Sequence, residues 1–241
     1  MLIKVFLNFK LYIGILILFI ITIILGSPYI EQLLTTGYSA EGLGWETAYI
    51  YCITNEKILL FVPVVSPMIA ADNLSVELKS RFSLFCCCRI GKKRYIANSI
   101  LENLLSGGFT VAFSMIFVYI FLYFRVNENV EPMVDTIPIV STLLLSLLRG
   151  FLNGALWASV GSCAAVITRN KHLAYATPFV IYYVLYIFQE RYYSKMSFLN
   201  PRYWAAPIYY NNFFCIAVLL LLTMSVGGLL WRVTKGRVDY G

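Results

Sequence analysis

Six long apolar runs dominate the pattern along the chain, near 11–26, 56–73, 96–124, 149–168, 173–188 and 210–231, and charged residues gather in the short stretches between them. Runs this long and continuous predict helices, because a backbone in lipid must satisfy its own hydrogen bonds and the alternative, a closed barrel, would show short alternating strands. Crossing a bilayer takes about 20 such residues. The pattern therefore predicts an all-α, polytopic membrane protein with six transmembrane helices, forming a single domain over 1–241 with no large soluble part. The first run, "LYIGILILFIITIILG" behind Lys4 and Lys10, is followed by "SPYIEQ" where a signal peptide would carry a small-x-small cleavage site, so it reads as a retained span.

Two of the connecting segments have a helical period of their own. In "MLIKVFLNFKLYIG", Leu2, Phe6, Phe9 and Ile13 share one face with Lys4 and Asn8 opposite, which predicts an N-terminal helix lying in the membrane interface. In "NLSVELKSRFSLF", Leu74, Leu78, Phe82 and Phe85 fall within an arc of about 80°, with Glu77, Lys79, Ser80 and Ser83 on the remainder and Arg81 at the edge, its stem able to snorkel. A short amphipathic helix over 74–86 follows, ended near "RIGKKR" by Gly91 and the charge around it. It either anchors the loop on anionic lipid or serves as the handle by which a soluble partner grips the bundle.

Composition makes the membrane reading hard to avoid. Apolar residues are 60% of the chain, aromatic ones 16% and charged ones 13%, and the mean hydropathy is +0.75. A globule of this size cannot bury so much apolar surface. Charge then orients the spans. With the N-terminus inside, Lys4, Lys10, Lys79, Arg81, Arg89, Lys92, Lys93, Arg94, Arg169, Lys171, Arg232, Lys235 and Arg237 face the cytoplasm, 13 of the 19 basic residues, as the positive-inside rule requires. Both termini are then cytoplasmic, in a cell membrane, and no nucleic acid is expected as a partner.

Candidate chemistry is sparse. Cys52, Cys163 and Cys215 sit in or near spans, while Cys86, Cys87 and Cys88 lie in the cytoplasmic loop. No C-x-x-C spacing occurs and His172 is the single histidine, so no metal site is expected. The cysteine triplet reads as small apolar residues at a membrane surface, with acylation or metal binding as the alternatives. In "RGFLNGALWASVGSCAAVIT", Gly150, Gly154, Ala158, Gly161 and Ala165 form one narrow stripe that lets a second helix approach closely, either within the chain or across a dimer. Neighbouring Ser106, Gly107 and Gly108 offer an opposing surface. Arg149, about 30 Å along a helix from Arg169, falls at the outer rim as an anchor or marks a pathway. Glu102, about 12 Å from Arg94, faces water at the cytoplasmic edge or takes part in proton coupling. Tyr192, Tyr193, Tyr203, Trp204, Tyr209 and Tyr210 form an aromatic belt near the outer boundary, broken by Pro201 and Pro207. An intramembrane metalloenzyme would need clustered His and Glu, and a serine enzyme a base beside a buried serine; neither pattern is present. A non-transporting membrane sensor or scaffold needs no chemistry and stays open.

The region "PVVSPMIAADNLSVELKSRFSLFCCCRIGKKRYIANSILENLL" resembles the segment between the second and third spans of type-2 ATP-binding-cassette (ABC) exporter permeases. The features that carry the resemblance are Pro63, Pro67, Ala70, Ala71, Asp72 and Glu77, then Lys79 and Ser80, then the basic cluster Lys92, Lys93, Arg94 with Tyr95 opening the next span. "VGSCAAVITRNKHLAYATPFVIYY" and "LNPRYW" are similar to later parts of the same family. The resemblance implies the membrane half of an exporter, paired with an identical or homologous second permease subunit and served by two cytoplasmic ATPase subunits. Those subunits carry the ATP and Mg, and this chain holds no cofactor; it has no G-x-x-x-x-G-K-[ST] loop. Residues 74–94 would be the coupling loop, with Glu77, Lys79, Ser80, Arg81, Phe82 and Phe85 touching the ATPase. The cargo implied is amphipathic, with antimicrobial peptide export or immunity as the expectation.

Overall fold

The computed structural model describes residues 5–36, 45–80, 82–126 and 139–240. Among these the chain is all-helical, in the order α1 (Phe9–Thr36), α2 (Trp45–Thr54), α3 (Glu56–Leu59), α4 (Val62–Val65), a 3-10 turn (Ser66–Met68), α5 (Asn73–Lys79), α6 (Phe82–Ile90), α7 (Lys92–Val126), α8 (Ile139–Thr168), α9 (Lys171–Arg191), a second 3-10 turn (Ser197–Leu199), α10 (Arg202–Ala205) and α11 (Asn212–Tyr240). Among the described residues, five segments are long and apolar enough to cross a membrane: Phe9–Gln32, Glu56–Lys79, Lys92–Arg125, Ser141–Thr168 and Asn212–Val238. The run at 173–188 lies on α9, which has 21 residues. Its length suffices, but Tyr175, Tyr182, Tyr183 and Tyr186 lower its apolarity below that of the other five.

The helix α8 is the axis of the bundle, packed against α7, α9 and α11, and its pairing with α7 is the most extensive in the chain. At mid-height Leu18, Val62, Val111, Leu156, Trp157, Tyr182 and Leu219 form the main core cluster. Trp157 donates its indole N–H to Asn153 Oδ1 at 2.9 Å one turn back, so this buried ring brings its polar edge already satisfied. Hydroxyls inside the bundle bond back to their own helix, Thr22 to the Leu18 carbonyl, Thr110 to Ser106, Ser159 to Ala155 and Thr223 to Leu219, at 2.6 to 2.8 Å. These four hydroxyls therefore add little unmet polarity to the interior.

Several boundaries move from the sequence expectation, each for a local reason. The run at 56–73 is not one regular helix. Pro63 and Pro67 each open a new short segment at its first turn, where a missing N–H is harmless. The apolar stretch before Arg149 continues α8 outward to Ile139, lengthening the run expected at 149–168. The N-terminal interfacial helix is broken at Asn8, whose side chain accepts the Lys10 N–H at 3.1 Å and so caps α1; residues 1–4, with Leu2 and Lys4, lie outside the described residues. A tight corner joins α8 to α9. Arg169 takes the left-handed conformation at φ 57, and Asn170 caps α9 by accepting the His172 N–H at 3.0 Å.

Two ends of the bundle differ in character. At one, Leu74, Tyr95, Ile96, Val166 and Leu230 form a cluster, and Arg237 donates to the Ile167 carbonyl at 2.8 Å. This brings α5, the start of α7 and the ends of α8 and α11 together beside Arg89, Lys92, Lys93 and Arg94. At the other, Arg202 meets Glu56 at 2.7 Å and Tyr49 shares a hydrogen bond with Ser146 at 3.1 Å.

Candidate functional site

The loop expected to couple the bundle to a partner is two helices and not one. α5 ends at Ser80, whose hydroxyl turns back to the Glu77 carbonyl at 3.2 Å and whose N–H closes on Val76. A serine that bonds its own backbone offers the chain an alternative to the next helical turn. Arg81 falls outside the described residues, as does the side chain of Phe82.

The break redistributes the apolar arc. Leu74 is buried and Leu78 packs beside it, together with Cys86 and Cys87, against Tyr95, Ile96 and Ile100. Phe85, expected on the same face as Leu74, is instead 76% exposed, with Val76 and Ile90 also outward. α6 ends at Gly91, in the left-handed conformation at φ 82, where a Cβ would be strained though no atom lies nearby. The cysteine triplet divides accordingly. Cys86 and Cys87 are half-buried and Cys88 is exposed. Burial first, and then the neighbouring Cys86, pushes the Cys87 thiol above its ordinary value.

Of the six residues expected to meet a partner, Lys79 and Ser80 are exposed and Phe85 is strongly so. Glu77 points the other way. Its carboxylate accepts the Tyr95 hydroxyl at 2.8 Å, so it ties α5 to the first turn of α7. The N-terminal side of this same end is tied by Lys10, 3.7 Å from Asp72, and by Asn8 donating to the Ile69 carbonyl at 3.3 Å.

The small-residue stripe is consumed within the chain. Gly154 and Ala158 pack on Gly107, and Gly150 meets Met115 and Val111 of α7. A Cβ on Gly161 would lie 2.5 Å from the Ala174 carbonyl oxygen and 2.9 Å from Pro67 Cβ, and Ala165 clusters with Ala71 and Ala174. The absence of side chains here lets backbones touch across α7, α8 and α9.

Arg149 is 4% exposed, Cys215 and Tyr49 act on it electrostatically, and its Nε and Nη1 have no hydrogen-bond partner. Glu102 is half-buried and lines a small cavity beside Asn103. Trp204, expected in an interfacial belt, is 9% exposed and donates to the Phe198 carbonyl at 2.7 Å, whereas Tyr192 and Tyr209 are exposed. Sequence reasoning missed the Glu56–Arg202 pair, the Glu77–Tyr95 bond and the unpartnered Asn103. For the first two the signal was only opposite polarity at matching depth.

Fold and site together define, among the described residues, an all-helical chain with five segments fit to cross a membrane by length and apolarity, and with short helices and a basic run at one end. Compared with family models, with curated proteins and with solved structures, the chain matches none.

Proposed function

We propose that the chain is the membrane subunit of an ABC exporter, with α9 as a sixth span, both termini in the cytoplasm and ATP hydrolysed by separate subunits docked beneath. What carries the reading is the pair of short helices between two spans, on a loop whose sequence resembles the family's coupling loop, with Lys79, Ser80, Phe85 and Arg89 turned outward. Their inner faces are bonded to the bundle through Glu77 and Tyr95. A load applied to the outer face is then passed to α7 through packed side chains. Two such subunits would face one another across a path for an amphipathic cargo, with antimicrobial peptide export or immunity as the function.

The test is co-purification of the tagged chain from its own membranes in mild detergent. An ATPase of this class should accompany it, and Arg81→Glu should lower the ATPase yield while the unfolding midpoint of the bundle stays put. An unchanged yield, or no ATPase at all, contradicts the proposal.

A further inference from the structure

Between α5 and the first turns of α7 lies a cavity with about 10 Å³ open to the centre of a water molecule, room for one small occupant. Its polar lining comes from Asn73, Glu77, Ser99, Glu102 and Asn103. Asn103 is 4% exposed, and neither its Oδ1 nor its Nδ2 has a hydrogen-bond partner within the protein. A buried amide left without partners is rare and costly, and it points to an occupant that the protein itself does not supply.

The chemistry of the lining narrows what that occupant is. Two carboxylates, two amides and a hydroxyl contribute oxygen donors, with no imidazole or thiol among them. Such hard donors select hard cations. Glu77 is held in place by the Tyr95 hydroxyl at 2.8 Å, and a hydrogen-bonded carboxylate, with about four lone-pair sites on its two oxygens, can still ligate an ion. No three of His, Cys, Asp and Glu come together among the described residues. Here two carboxylates are completed by neutral oxygens instead.

We propose that this cavity binds a small hard cation, of the Na⁺, Mg²⁺ or Ca²⁺ type, with Asn103 Oδ1 and the carboxylates of Glu77 and Glu102 as its principal ligands. Bound there, the ion clips α5 to α7 at the point where the exposed loop joins the bundle. The site is independent of the exporter reading, since it needs neither a partner subunit nor a cargo.

The experiment uses the full chain purified in detergent, stripped with chelator and held in choline chloride at fixed ionic strength. NaCl, MgCl₂ or CaCl₂ then replaces part of the choline while the thermal unfolding midpoint is followed. The expected result is a saturable rise of about 3 °C or more with at least one cation, abolished in Asn103→Leu and in Glu102→Gln. The salt that responds identifies the ion. No rise with any of the three, which leaves a cavity that holds water only, overturns the proposal, and so does a wild-type response in either variant. If Asn103→Leu fails to accumulate, Glu102→Gln decides by the same readout.

Discussion

Replacing Gly107 by alanine puts a methyl group where α7 and α8 touch backbone to backbone. The added Cβ would meet the Ala158 Cβ first, and would lie 2.7 Å from the Gly154 carbonyl oxygen and 3.3 Å from its carbon. An ordinary carbon–oxygen contact is about 3.3 to 3.6 Å, so the Gly154 oxygen alone requires the helices to separate by at least roughly 0.6 to 0.9 Å at this point. None of these obstacles is the flexible end of a side chain. A gap of that size forfeits about a quarter to a half of each van der Waals contact it opens, and this is the most extensive helix pair in the chain. Overpacking of this kind costs about 3 kcal/mol, the upper end of the usual range. Gaining a better helix former returns roughly 0.5 to 1 kcal/mol, for a net loss of about 2 kcal/mol. Gly227 is the internal control. It lies in α11 with nothing within 4 Å of a would-be Cβ, so Gly227→Ala keeps the propensity gain without the clash and should stabilise by about 0.5 to 1 kcal/mol. The two variants should differ by about 3 kcal/mol, or roughly 6 to 12 °C in unfolding midpoint for a chain of this length, read by intrinsic fluorescence on heating in detergent. A Gly107→Ala midpoint at or above that of Gly227→Ala would refute the close-packed α7–α8 interface.

Three further outcomes test other joints. Tyr95→Phe removes the hydroxyl held by Glu77 and should lower stability by about 1.5 to 3 kcal/mol, whereas Tyr12→Phe, on an exposed face of α1, should change it by less than about 0.5 kcal/mol; equal midpoints would show that the Glu77 bond does not hold α5 to α7. A double-mutant cycle on Glu56→Gln and Arg202→Gln should give a coupling of about 1 kcal/mol that shrinks at high salt, and a coupling of zero in denaturation measurements would remove the pair as a tie between α3 and α10. Single-cysteine variants retaining only Cys87 or only Cys88 should alkylate differently with pH. Because burial raises the Cys87 thiol, its thiolate appears only at higher pH, so its maleimide rate should lag that of Cys88 near neutrality and rise more steeply above it; coincident rate profiles would contradict the division of the triplet.

The apolar runs on α1, α7, α8 and α11 were legible because their length and continuity alone require helix, whatever they pack against. The run at 56–73 was only partly so. Its apolarity was plain, but Pro63 and Pro67 restart the helix twice, and how many separate segments result depends on packing against α8 and α9. The arc from Leu74 to Phe85 failed because a period of 3.6 residues assumes an unbroken helix, and the Ser80 hydroxyl ends that helix by bonding back to Glu77. The stripe from Gly150 to Ala165 announced a close approach, yet only the structure supplies Gly107, Met115 and Ala174 as what approaches. At the candidate site, Glu77 and Tyr95 are joined across the bend at Gly91, so no helical spacing relates them. Asn103 gave no signal at all, since whether a buried amide has partners is a property of three-dimensional neighbours.

On the proposed reading, the short helices and basic run close the cytoplasmic end of a membrane-spanning bundle. Cys88 is the native probe, being the exposed thiol of the triplet. In a variant with the other five cysteines replaced, a membrane-impermeant maleimide should label Cys88 in inverted vesicles and leave it untouched in right-side-out vesicles until detergent is added. Labelling in intact right-side-out vesicles would place this end outside and contradict the account.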